Sequence, residues 1–519
     1  MVSIGEQSFA DCRDLEGLVF PEGLENIGKR AFADCFGIGR IICQDAMPPY
    51  VGSGAFDGVP KDNFTLEVPE ASIVQYQTAQ GWGDFKRIAN YRNFVCRPNS
   101  ATAINTSVTR NLTLNSDANW TIESKPDWVT LDQTQGSQKT ELKVTFAEMA
   151  QGSPNREGEI VFLQPEKGYR TRCYVTQYNY EYAEDQMVNL QTATQGPGIN
   201  LVFLGDGYAA KDISEGLYMQ DMQQAMDHFF AIEPYKTYRN YFTAHTGIAV
   251  SAESGIGGVN TVVHNRFHTY AKGGSTLGPA TIGGDKEILE YACQAPTVNN
   301  ENLGNSLIIM VPNTTDYGGI CYMYGDGSAI AYCPKSTYEY PYDFRGIVQH
   351  EAGGHGFGKF ADEYIYTNGF IDACACANPH VNDFLAGKSK GWYGNLSLSG
   401  KMQEVPWSHL IFHEKYHNFV DIFEGGYFHT RGVFRSEQNS CMNNNIPYYS
   451  TICRETIVKR IKAIAGETYS FDDFVANDKT GVADISTLTR GVSEQWLQSA
   501  PMHQHSPVII QHRPQVSKH

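Results

Sequence analysis

Hydrophobic positions recur with a fixed period at the start of the chain. The stretch IGEQSFADC at 4–12 returns as IGKRAFADC at 27–35, which is a period of 23 residues. A period in the twenties is typical of a solenoid, in which each repeat buries its apolar side chains against its neighbours. About two repeats are visible, so residues 1–93 are predicted to form a short solenoid remnant, and we expect the chain to begin inside a longer array.

From residue 94 to residue 180 the pattern changes to short runs of alternating apolar and polar residues. RNLTLNS at 110–116 and ELKVTFA at 141–147 are examples, and turn residues separate such runs. Alternation predicts strands with one buried face, and several short strands in succession predict a small antiparallel sandwich. Trp120 and Trp128 are predicted to lie in its core.

Beyond residue 180 the apolar runs become longer and continuous. INLVFLGDGYAA at 199–210 and NSLIIMVPN at 305–313 have the pattern of strands covered on both faces. Residues 214–232 have apolar positions at helical spacing. Strands that alternate with helices predict an α/β domain with a mostly parallel sheet. This domain is predicted to span 181–475, and residues 476–519 are predicted to be a C-terminal tail.

Composition narrows the range of partners. The formal net charge of −17 at pH 7 argues against nucleic acid and against an anionic membrane surface as the main partner. The chain contains no apolar run of about eighteen residues, so no membrane span is predicted. It does not open with a basic segment followed by an apolar one, so no signal peptide is visible.

Candidate chemistry is concentrated in HEAGGHGFGKFADEY at 350–364. His350 and His355 are five positions apart, whereas two metal ligands on one face of an α-helix are four apart. A π-bulge aligns residues that are five apart. Gly353 and Gly354 permit the irregular backbone that such a bulge needs. The stretch therefore predicts a bulged helix that presents two histidine ligands to one metal ion.

Acidic residues extend this candidate site. The segment GFG at 356–358 can end the helix and turn the chain, which would bring Asp362 or Glu363 back as a third ligand. A catalytic zinc takes three protein ligands and leaves a fourth position open for water. Glu351, next to the first histidine, is placed to take a proton from such a water. The alternative is a glycine-rich turn flanked by incidental histidines and surface acids.

A second histidine pair lies in HEKYH at 413–417. His413 and His417 have the four-residue spacing of ligands on one helical face, and Asp421 or Glu424 follows. The pair lacks a following glycine turn, so an acid on the continuing helix would lie along the axis from it. The segment instead predicts an amphipathic helix with its histidines on the polar side.

Several separated motifs resemble the IgA-peptidase family of zinc metallopeptidases. They are HEAGGHGFGKFADEY, VFLGDGY (202–208), YFTAHTGIAVSAESG (241–255) and FEGGYFHTRGVFRSEQNSCMNN (423–444). The N-terminal repeats resemble BspA-type leucine-rich repeats, and residues 94–180 resemble the BACON domain. The resemblance implies a multidomain protein. In it, a zincin-like α/β catalytic domain would follow an immunoglobulin-like all-β sandwich and a leucine-rich-repeat solenoid remnant.

The resemblance also implies roles for individual residues. His350, His355 and Asp362 would bind one catalytic Zn²⁺. Glu351 would be the general base, and Met442 would lie in a turn beneath the metal. HEAGGH has one glycine more than the general zincin pattern His-Glu-x-x-His. This extra residue affects the geometry of the histidine ligands more than metal binding itself.

Other residues near these motifs have less defined roles. Tyr317, Tyr364 and Arg435 are candidates to stabilise the oxyanion that forms when a peptide carbonyl is attacked, with packing as the alternative for each. Glu363 is the second candidate acid beside the metal. Cysteine usually marks structural zinc, and two thiols cannot complete a four-ligand site. The close pair Cys374 and Cys376 is therefore predicted to be loop thiols or disulfide partners. Two further cysteines, Cys441 and Cys453, are candidates to pair with each other.

Together these inferences predict a secreted or surface-displayed bacterial zinc endopeptidase. It would hydrolyse peptide bonds of proteins or glycoproteins by attack of zinc-bound hydroxide, with Glu351 as general base. The N-terminal modules would present it to its target, and the sandwich would either contact carbohydrate or mucin or act as a spacer that holds the catalytic domain off the surface. One alternative is a catalytically degenerate adhesin that binds glycoprotein or carbohydrate through those modules. Another is zinc-dependent amide hydrolysis of a non-protein substrate.

Overall fold

The computed structural model describes residues 2–90, 94–259, 261–272, 277–279, 284–371, 379–479 and 507–516. The chain divides into two units, one comprising Met1–Glu181 with Gly257–His264 and the other comprising Tyr182–Ile256 with Asn265–His519. Within the described residues, no helix is both long enough and apolar enough to cross a bilayer.

Short parallel strands stack in register along the first ninety residues. Their bounds are β1 (Ser3–Ile4), β2 (Gly17–Phe20), β3 (Asn26–Ile27), β4 (Arg40–Cys43), β5 (Tyr50–Val51), β6 (Leu66–Val68) and β7 (Ile88–Asn90), with a 3₁₀ turn at Glu70–Ser72 and helix α1 at Ile73–Thr78. One ladder has the order β1-β3-β5 and the other β2-β4-β6-β7. Ile4 lies opposite Ile27, and Ile27 lies opposite Val51, so equivalent positions of successive repeats share one buried column.

The structure contains a third repeat that the sequence analysis did not count. The backbone is left-handed at the same point of each repeat, with φ of 54° at Gln7, 50° at Arg30 and 68° at Gly54. The third repeat, VGSGAFDGV at 51–59, has glycine at this point, where glycine adopts a positive φ without steric cost. The estimate of about two repeats was therefore too low.

Residues 94–178 form two β-sheets around a common core. The strands are β8 (Phe94–Arg97), β9 (Ser100–Ile104), β10 (Val108–Ser116), β11 (Asn119–Ser124), β12 (Val129–Leu131), β13 (Gln135–Ser137), β14 (Thr140–Phe146), β15 (Arg156–Gln164) and β16 (Tyr169–Tyr178). The sheet orders are β12-β14-β10-β8 and β13-β11-β15-β16-β9. Trp120 is fully buried in the core, as predicted. Trp128 lies at the edge of the core instead, with the guanidinium of Arg156 4.7 Å from its ring centroid.

The remainder of the chain combines helices with further strands. The strands are β17 (Met187–Gln191), β18 (Ile199–Asp206), β19 (Phe242–Gly247), β20 (Gly257–Gly258), β21 (Thr269–Ala271), β22 (Leu277–Pro279), β23 (Leu307–Pro312), β24 (Ile320–Tyr324), β25 (Ala329–Tyr332), β26 (Ile365–Phe370), β27 (Leu396–Ser397), β28 (Phe423–Gly426), β29 (Phe428–Arg435) and β30 (Val508–Ile510). The helices are α2 (Ala210–Ser214), α3 (Leu217–Phe230), α4 (Gly284–Ala292), α5 (Phe344–Ile347), a π-helix (Val348–Phe357), α6 (Pro379–Ser389), α7 (Ser408–Ile411), α8 (Cys441–Asn444), α9 (Thr451–Ile464) and α10 (Phe471–Asn477), with 3₁₀ turns at Arg239–Tyr241 and Leu303–Asn305.

A seven-stranded sheet forms the centre of this unit. Its order is β17-β19-β18-β23-β25-β24-β30, and neighbouring strands are parallel except in the pairs β17–β19 and β24–β25. The sheet is thus mostly parallel, as the alternation of strands and helices predicts. Ile308 and Met310 pack with α4 in one apolar cluster. Leu307 contacts the π-helix, where a Cβ on Gly356 would lie 2.6 Å from its Cδ1.

A buried ion pair joins α9 to the residues after α10. Arg454 Nε and Nη2 each donate to a carboxylate oxygen of Asp478 at 2.8 Å, and the two side chains are 0% and 3% exposed. The Tyr416 hydroxyl donates to the same carboxylate at 3.0 Å. Asp478 lies past residue 475, the predicted end of the domain, and this contact packs it against α9.

We expect Arg454→Ala to lower the free energy of unfolding by about 3–5 kcal/mol, because it would leave the Asp478 carboxylate buried without a countercharge. Urea denaturation followed by circular dichroism measures this change. Lys167→Ala is the control, since its 2.8 Å pair with Asp117 has side chains 39% and 35% exposed. Such exposed pairs contribute about 1 kcal/mol or less. Equal effects of the two variants would contradict the prediction.

Candidate metal centre

The segment that carries the first histidine pair is a π-helix. It runs over Val348–Phe357, directly after α5, whose first turn is capped by the Asp343 carboxylate accepting from the Gly346 amide at 2.9 Å. Hydrogen bonds from residue i to residue i+5 align residues that are five apart. His350 and His355 therefore face the same side, and their ring centroids are 4.7 Å apart. The sequence predicted a single bulge, and the structure extends the irregularity over ten residues.

Close packing explains the glycines between the two histidines. A Cβ on Gly353 would lie 2.3 Å from the Tyr449 hydroxyl oxygen, and one on Gly354 would lie 2.2 Å from Met442 Sδ. The backbone approaches these neighbours so closely only because both positions lack a side chain. Met442 therefore packs against the helix between the two histidines.

Backbone carbonyls fix the orientation of both imidazoles. His350 Nδ1 lies 2.9 Å from the carbonyl oxygen of Cys441, and His355 Nδ1 lies 2.8 Å from that of Phe360. A carbonyl oxygen only accepts hydrogen bonds, so each Nδ1 carries a proton and donates. Both Nε2 atoms face the Asp362 carboxylate. Hydrogen bonds of this kind orient the imidazole ligands of protein metal sites.

Asp362 joins the two histidines. Its Oδ1 atom lies 2.9 Å from His350 Nε2 and 3.2 Å from His355 Nε2, and all three side chains are buried. One ligand atom from each residue lies within 4.8 Å of the others, and among the described residues these are the three that form such a group. The Oδ2 atom of Asp362 is buried without a hydrogen-bond partner in the described part of the chain.

The charges within this group stabilise one another. Burial on its own would raise the pKa of Asp362, but the positive charge of His355 and the hydrogen bonds from both histidines hold it well below its usual range. Burial on its own would lower the pKa of His355, but the Asp362 carboxylate outweighs that effect and raises the pKa to about 9. The carboxylate and the imidazoles thus stabilise opposite charges on one another.

A turn after the π-helix brings Asp362 back to the histidines, as the glycine-rich segment predicts. Lys359 has a left-handed backbone with φ of 59°, and the Phe360 amide donates to the carbonyl of Gly354. The side-chain amide of Asn395 then bonds both backbone groups of Ala361, at 3.0 Å to the nitrogen and 2.8 Å to the oxygen. Asn395 lies more than thirty residues along the chain, and its neighbours in the sequence gave no signal for this role.

Glu363 points to a different set of partners. Its Oε1 atom accepts from Asn395 Nδ2 at 3.0 Å, and its Oε2 atom accepts from the Ser440 hydroxyl. Burial raises the pKa of Glu363 to about 7, although these two hydrogen bonds lower it. Of the two acids that the sequence left open as third ligand, the structure brings Asp362 to the histidines and directs Glu363 away from them.

Glu351 lies beside the group without being part of it. Its side chain is 4% exposed, and a Cβ on Gly319 would lie 3.0 Å from its Oε1 atom. Burial raises the pKa of Glu351, and the positive charges of His355 and His350 oppose this shift. Gly319 immediately precedes β24, so the carboxylate lies against the beginning of that strand. The sequence analysis did not single out Gly319.

The three oxyanion candidates occupy different positions. Tyr317 is half-buried and packs against Tyr338 and Tyr342, and the charges of Glu351 and Asp362 add to the effect of burial in raising its pKa.

Tyr364 is buried, and its ring stacks on that of His350 with centroids 6.2 Å apart. Arg435 donates from Nη1 to the carbonyls of Gly425 at 2.6 Å and Glu424 at 3.3 Å. Its charge opposes the rise in the pKa of Glu363 that burial causes. Tyr364 thus adjoins the histidine–aspartate group, whereas the ring contacts of Tyr317 are with Tyr338 and Tyr342 and the hydrogen bonds of Arg435 are to Gly425 and Glu424.

The HEKYH segment does not form the helix that its spacing predicts. The helix before it, α7, ends at Ile411, and residues 413–417 form a turn in which the His417 amide donates to the His413 carbonyl at 2.9 Å. The His413 ring packs against Tyr416 and Phe471. Packing of these aromatic side chains overrides the local helical pattern, and the expectation of an amphipathic helix was wrong.

The predicted cysteine pairs have different outcomes. Cys441 and Cys453 are both buried free thiols in the structure. Cys374 and Cys376 lie outside the described residues. The backbone of Cys441 contributes to the site, since its carbonyl orients His350, and a sequence pattern does not reveal such a main-chain contact.

Comparison with protein families agrees with the three resemblances and their order. Residues 188–381 match the family described as IgA Peptidase M64. Residues 1–116 match the BspA type leucine rich repeat region, in six copies, and residues 118–177 match BACON, described as a putative binding domain. The first match includes the π-helix and Asp362, while the motif at 423–444 lies beyond it.

Individual proteins show little similarity to this chain. No curated protein matches the chain. A Bacteroides ovatus GH5 xyloglucanase in complex with a XXXG heptasaccharide is 15% identical, with a TM-score of 0.15, and the match covers 20% of this chain and 24% of that one. WR4, a C. elegans MSP family member, is 10% identical with a TM-score of 0.14, and the match covers 17% of this chain and 100% of that one. Neither likeness supports an argument about this protein.

We expect Gly353→Ala to lower the free energy of unfolding by about 1–3 kcal/mol, because the added methyl group would overlap the Tyr449 hydroxyl. Chemical denaturation measures the change. Gly394→Ala is the matched control, because the nearest atom to its added Cβ, Thr456 Oγ1, is 3.9 Å away. A Gly353→Ala variant as stable as the control would show that the π-helix tolerates a side chain there.

We expect the purified protein to bind about one equivalent of Zn²⁺, as a three-residue catalytic site does. His350→Ala and Asp362→Asn should lose this metal, because each removes a donor from the buried group. Glu363→Gln and His413→Ala should retain it. Elemental analysis of the dialysed variants measures the metal, and loss of zinc in His413→Ala with retention in His350→Ala would contradict the assignment.

Proposed function

Since residues 188–381 match the IgA Peptidase M64 family, we propose that this chain is a zinc-dependent endopeptidase of zincin-like fold that hydrolyses peptide bonds of proteins or glycoproteins. One observation carries the proposal. His350 Nε2, His355 Nε2 and Asp362 Oδ1 converge within 4.8 Å, and Glu351 lies beside them. Two imidazoles and one carboxylate are a donor set that catalytic zinc takes in peptidases.

The residues present fit a zinc ion. Both Nδ1 atoms are held by carbonyls, so both Nε2 atoms are available as ligands, and the buried Oδ2 atom of Asp362 has no hydrogen-bond partner among the described residues. When bound, zinc acts as a Lewis acid towards the peptide carbonyl and lowers the pKa of water. His350, His355 and Asp362 would hold the ion, and Asn395 would keep Asp362 in place.

Glu351 would transfer the protons of the reaction. Its carboxylate lies against Gly319 with no side chain between them, so it borders both the metal ligands and the beginning of β24. As general base it would accept a proton from the attacking water, and as general acid it would pass that proton to the leaving amine. Tyr317, whose pKa is raised by burial and by the charges of Glu351 and Asp362 among others, would stabilise the developing oxyanion through its hydroxyl.

The substrate would bind as an extended chain alongside β24. This strand begins one residue after Gly319, and an extended peptide pairs with the edge of a sheet through backbone hydrogen bonds. Pairing at this edge would place a peptide bond close to Glu351. A protein substrate would therefore need an unfolded or loop segment at the cleavage site.

The other two functions are less well supported. The comparisons do not favour the adhesin alternative, and the residues of the histidine–aspartate group are all present and converge. Amide hydrolysis of a non-protein substrate is separated from proteolysis by a panel of plain peptides and glycopeptides. We propose that the enzyme is secreted or displayed at the cell surface, with the BACON domain contacting carbohydrate or mucin.

We expect Glu351→Gln to lower kcat for peptide hydrolysis by about 10²–10⁴-fold while about one equivalent of zinc remains bound, because the amide cannot accept the proton. Hydrolysis of casein and of quenched peptides measures the activity, and elemental analysis measures the metal. Glu363→Gln is the matched control and should keep both. Full activity of Glu351→Gln with zinc bound would exclude Glu351 as the base.

A further inference from the structure

Two buried cysteines lie in the core of the sandwich, one in each of its sheets. Cys96 is in β8 and is 2% exposed, and Cys173 is in β16 and is 0% exposed. β8 is the edge strand of the sheet β12-β14-β10-β8, whereas β16 is an inner strand of the sheet β13-β11-β15-β16-β9. The sequence has no other cysteine between residues 94 and 180, so each of the two has one possible partner within this module.

The two sheets contact each other at these cysteines. The backbone amide of Cys96 donates to the hydroxyl oxygen of Thr171 at 3.3 Å. Thr171 and Cys173 are two residues apart on one strand, so their side chains lie on the same face of β16. The thiols of Cys96 and Cys173 are hydrogen-bonded to each other within the apolar core. Both are free thiols in the structure, and they project towards each other from opposite sheets.

We propose that Cys96 and Cys173 form a disulfide bond that connects the two sheets of the sandwich and stabilises it. A disulfide forms without backbone movement only between cysteines whose side chains point at each other, and these two thiols meet that condition. Disulfides form in the oxidising compartments through which secreted and surface proteins pass, which agrees with the export proposed above. The inference is independent of the metal site and of the peptidase function.

The oxidant is the disulfide of a dithiol oxidoreductase. The thiolate of one cysteine attacks this disulfide, which forms a mixed disulfide and releases one sulfur of the oxidoreductase as a thiolate. The thiolate of the second cysteine then attacks the sulfur of the first and releases the other sulfur of the oxidoreductase. The two cysteine sulfurs lose two electrons in total, and the oxidoreductase is reduced to a dithiol that takes up the two protons.

The surroundings of the thiols determine when this reaction takes place. The hydrogen bond with Cys173 and burial both raise the pKa of the Cys96 thiol. Because the thiolate is the form that attacks a disulfide, the folded core suppresses the reaction. The bond should therefore form while the sandwich folds, before the core closes.

The bond would fasten an edge strand. In its own sheet β8 pairs with β10 through four residue pairs, with Cys96 opposite Leu114. A bond to Cys173 would attach β8 to β16 as well and close a loop that contains most of the sandwich. A disulfide restricts the unfolded chain more as the closed loop lengthens, so opening of the sandwich should become about 10²–10³-fold less favourable.

Mass spectrometry of the whole chain tests for the bond. The chain is produced in the bacterial periplasm, where disulfides form, and in a reducing cytosol. Each protein is denatured, alkylated with iodoacetamide and digested without reductant. In the periplasmic protein we expect two peptides joined through Cys96 and Cys173, with a mass lower by two hydrogen atoms than the sum of the free peptides. In the cytosolic protein both cysteines should be alkylated.

Hydrogen exchange of the same two proteins measures the stabilisation. The backbone amides of β10 and β14 exchange when the sandwich opens, so they should exchange about 10²–10³-fold more slowly in the periplasmic protein. The amides of α3, in the catalytic unit, are the internal control and should exchange equally in both.

Single substitutions identify the partners. In periplasmic protein, Cys96→Ala and Cys173→Ala should each lose the joined peptides and leave the remaining cysteine alkylated. Cys293→Ala is the matched control, because it removes a half-buried thiol outside the sandwich and should retain the joined peptides. The comparison of the two wild-type proteins needs no variant, so the test holds if an alanine unfolds the sandwich.

The outcomes are distinct. Joined peptides in wild type and in Cys293→Ala, with slower exchange of β10 and β14, support the proposal. Alkylation of both cysteines in the periplasmic wild type overturns it, as does pairing of either with a cysteine elsewhere in the chain. Equal exchange in the oxidised and reduced proteins overturns the stabilising role of the bond. Zinc binding and peptide hydrolysis are tested separately and stand or fall without it.

Discussion

The hydrogen bonding of Val348–Phe357 from residue i to residue i+5 is the constraint on which the candidate site depends. In an α-helix, residues five apart lie about 140° apart around the axis, and His350 and His355 would face different surroundings. In the π-helix they face the same side, and Asp362 contacts both. The additional glycine of HEAGGH is therefore part of the geometry that brings the ligands together.

A π-helix is rarely stable on its own, and contacts from distant parts of the chain hold this one. The Tyr235 hydroxyl donates to the carbonyl of Gly353 at 2.6 Å, and the Tyr449 hydroxyl donates to the carbonyl of Gln349. Arg454 in α9 donates to the carbonyl of Tyr449 in turn. The backbone of the π-helix is thus connected through Tyr449 and Arg454 to the buried ion pair of α9.

The parts of the site that were predictable from the sequence lie within fifteen residues of one another. His350, Glu351, His355 and Asp362 share one stretch, so spacing and glycine content identify them together. Spacing could not separate Asp362 from Glu363, because adjacent residues differ only in the direction of their side chains. Asn395 and Ser440, which are remote in the sequence, decide that direction by binding Glu363.

The same reasoning explains where local patterns misled. HEKYH has the spacing of a helical ligand pair, but aromatic contacts with Phe471, remote in the sequence, keep His413 in a turn. The third repeat was overlooked because Gly54 and Gly58 replace the side chains of the earlier repeats, although its backbone repeats theirs.

The surroundings of Glu351 show the limit of local prediction most clearly, because the strand against which it lies, β24, is remote from it in the sequence. Gly319 lies thirty-two residues before Glu351, and the absence of a side chain there lets the carboxylate rest against the backbone. Val508–Ile510 pair in parallel with β24, although the two strands are remote in the sequence. The histidine–aspartate group is therefore encoded locally, whereas its surroundings are determined by how remote segments pack.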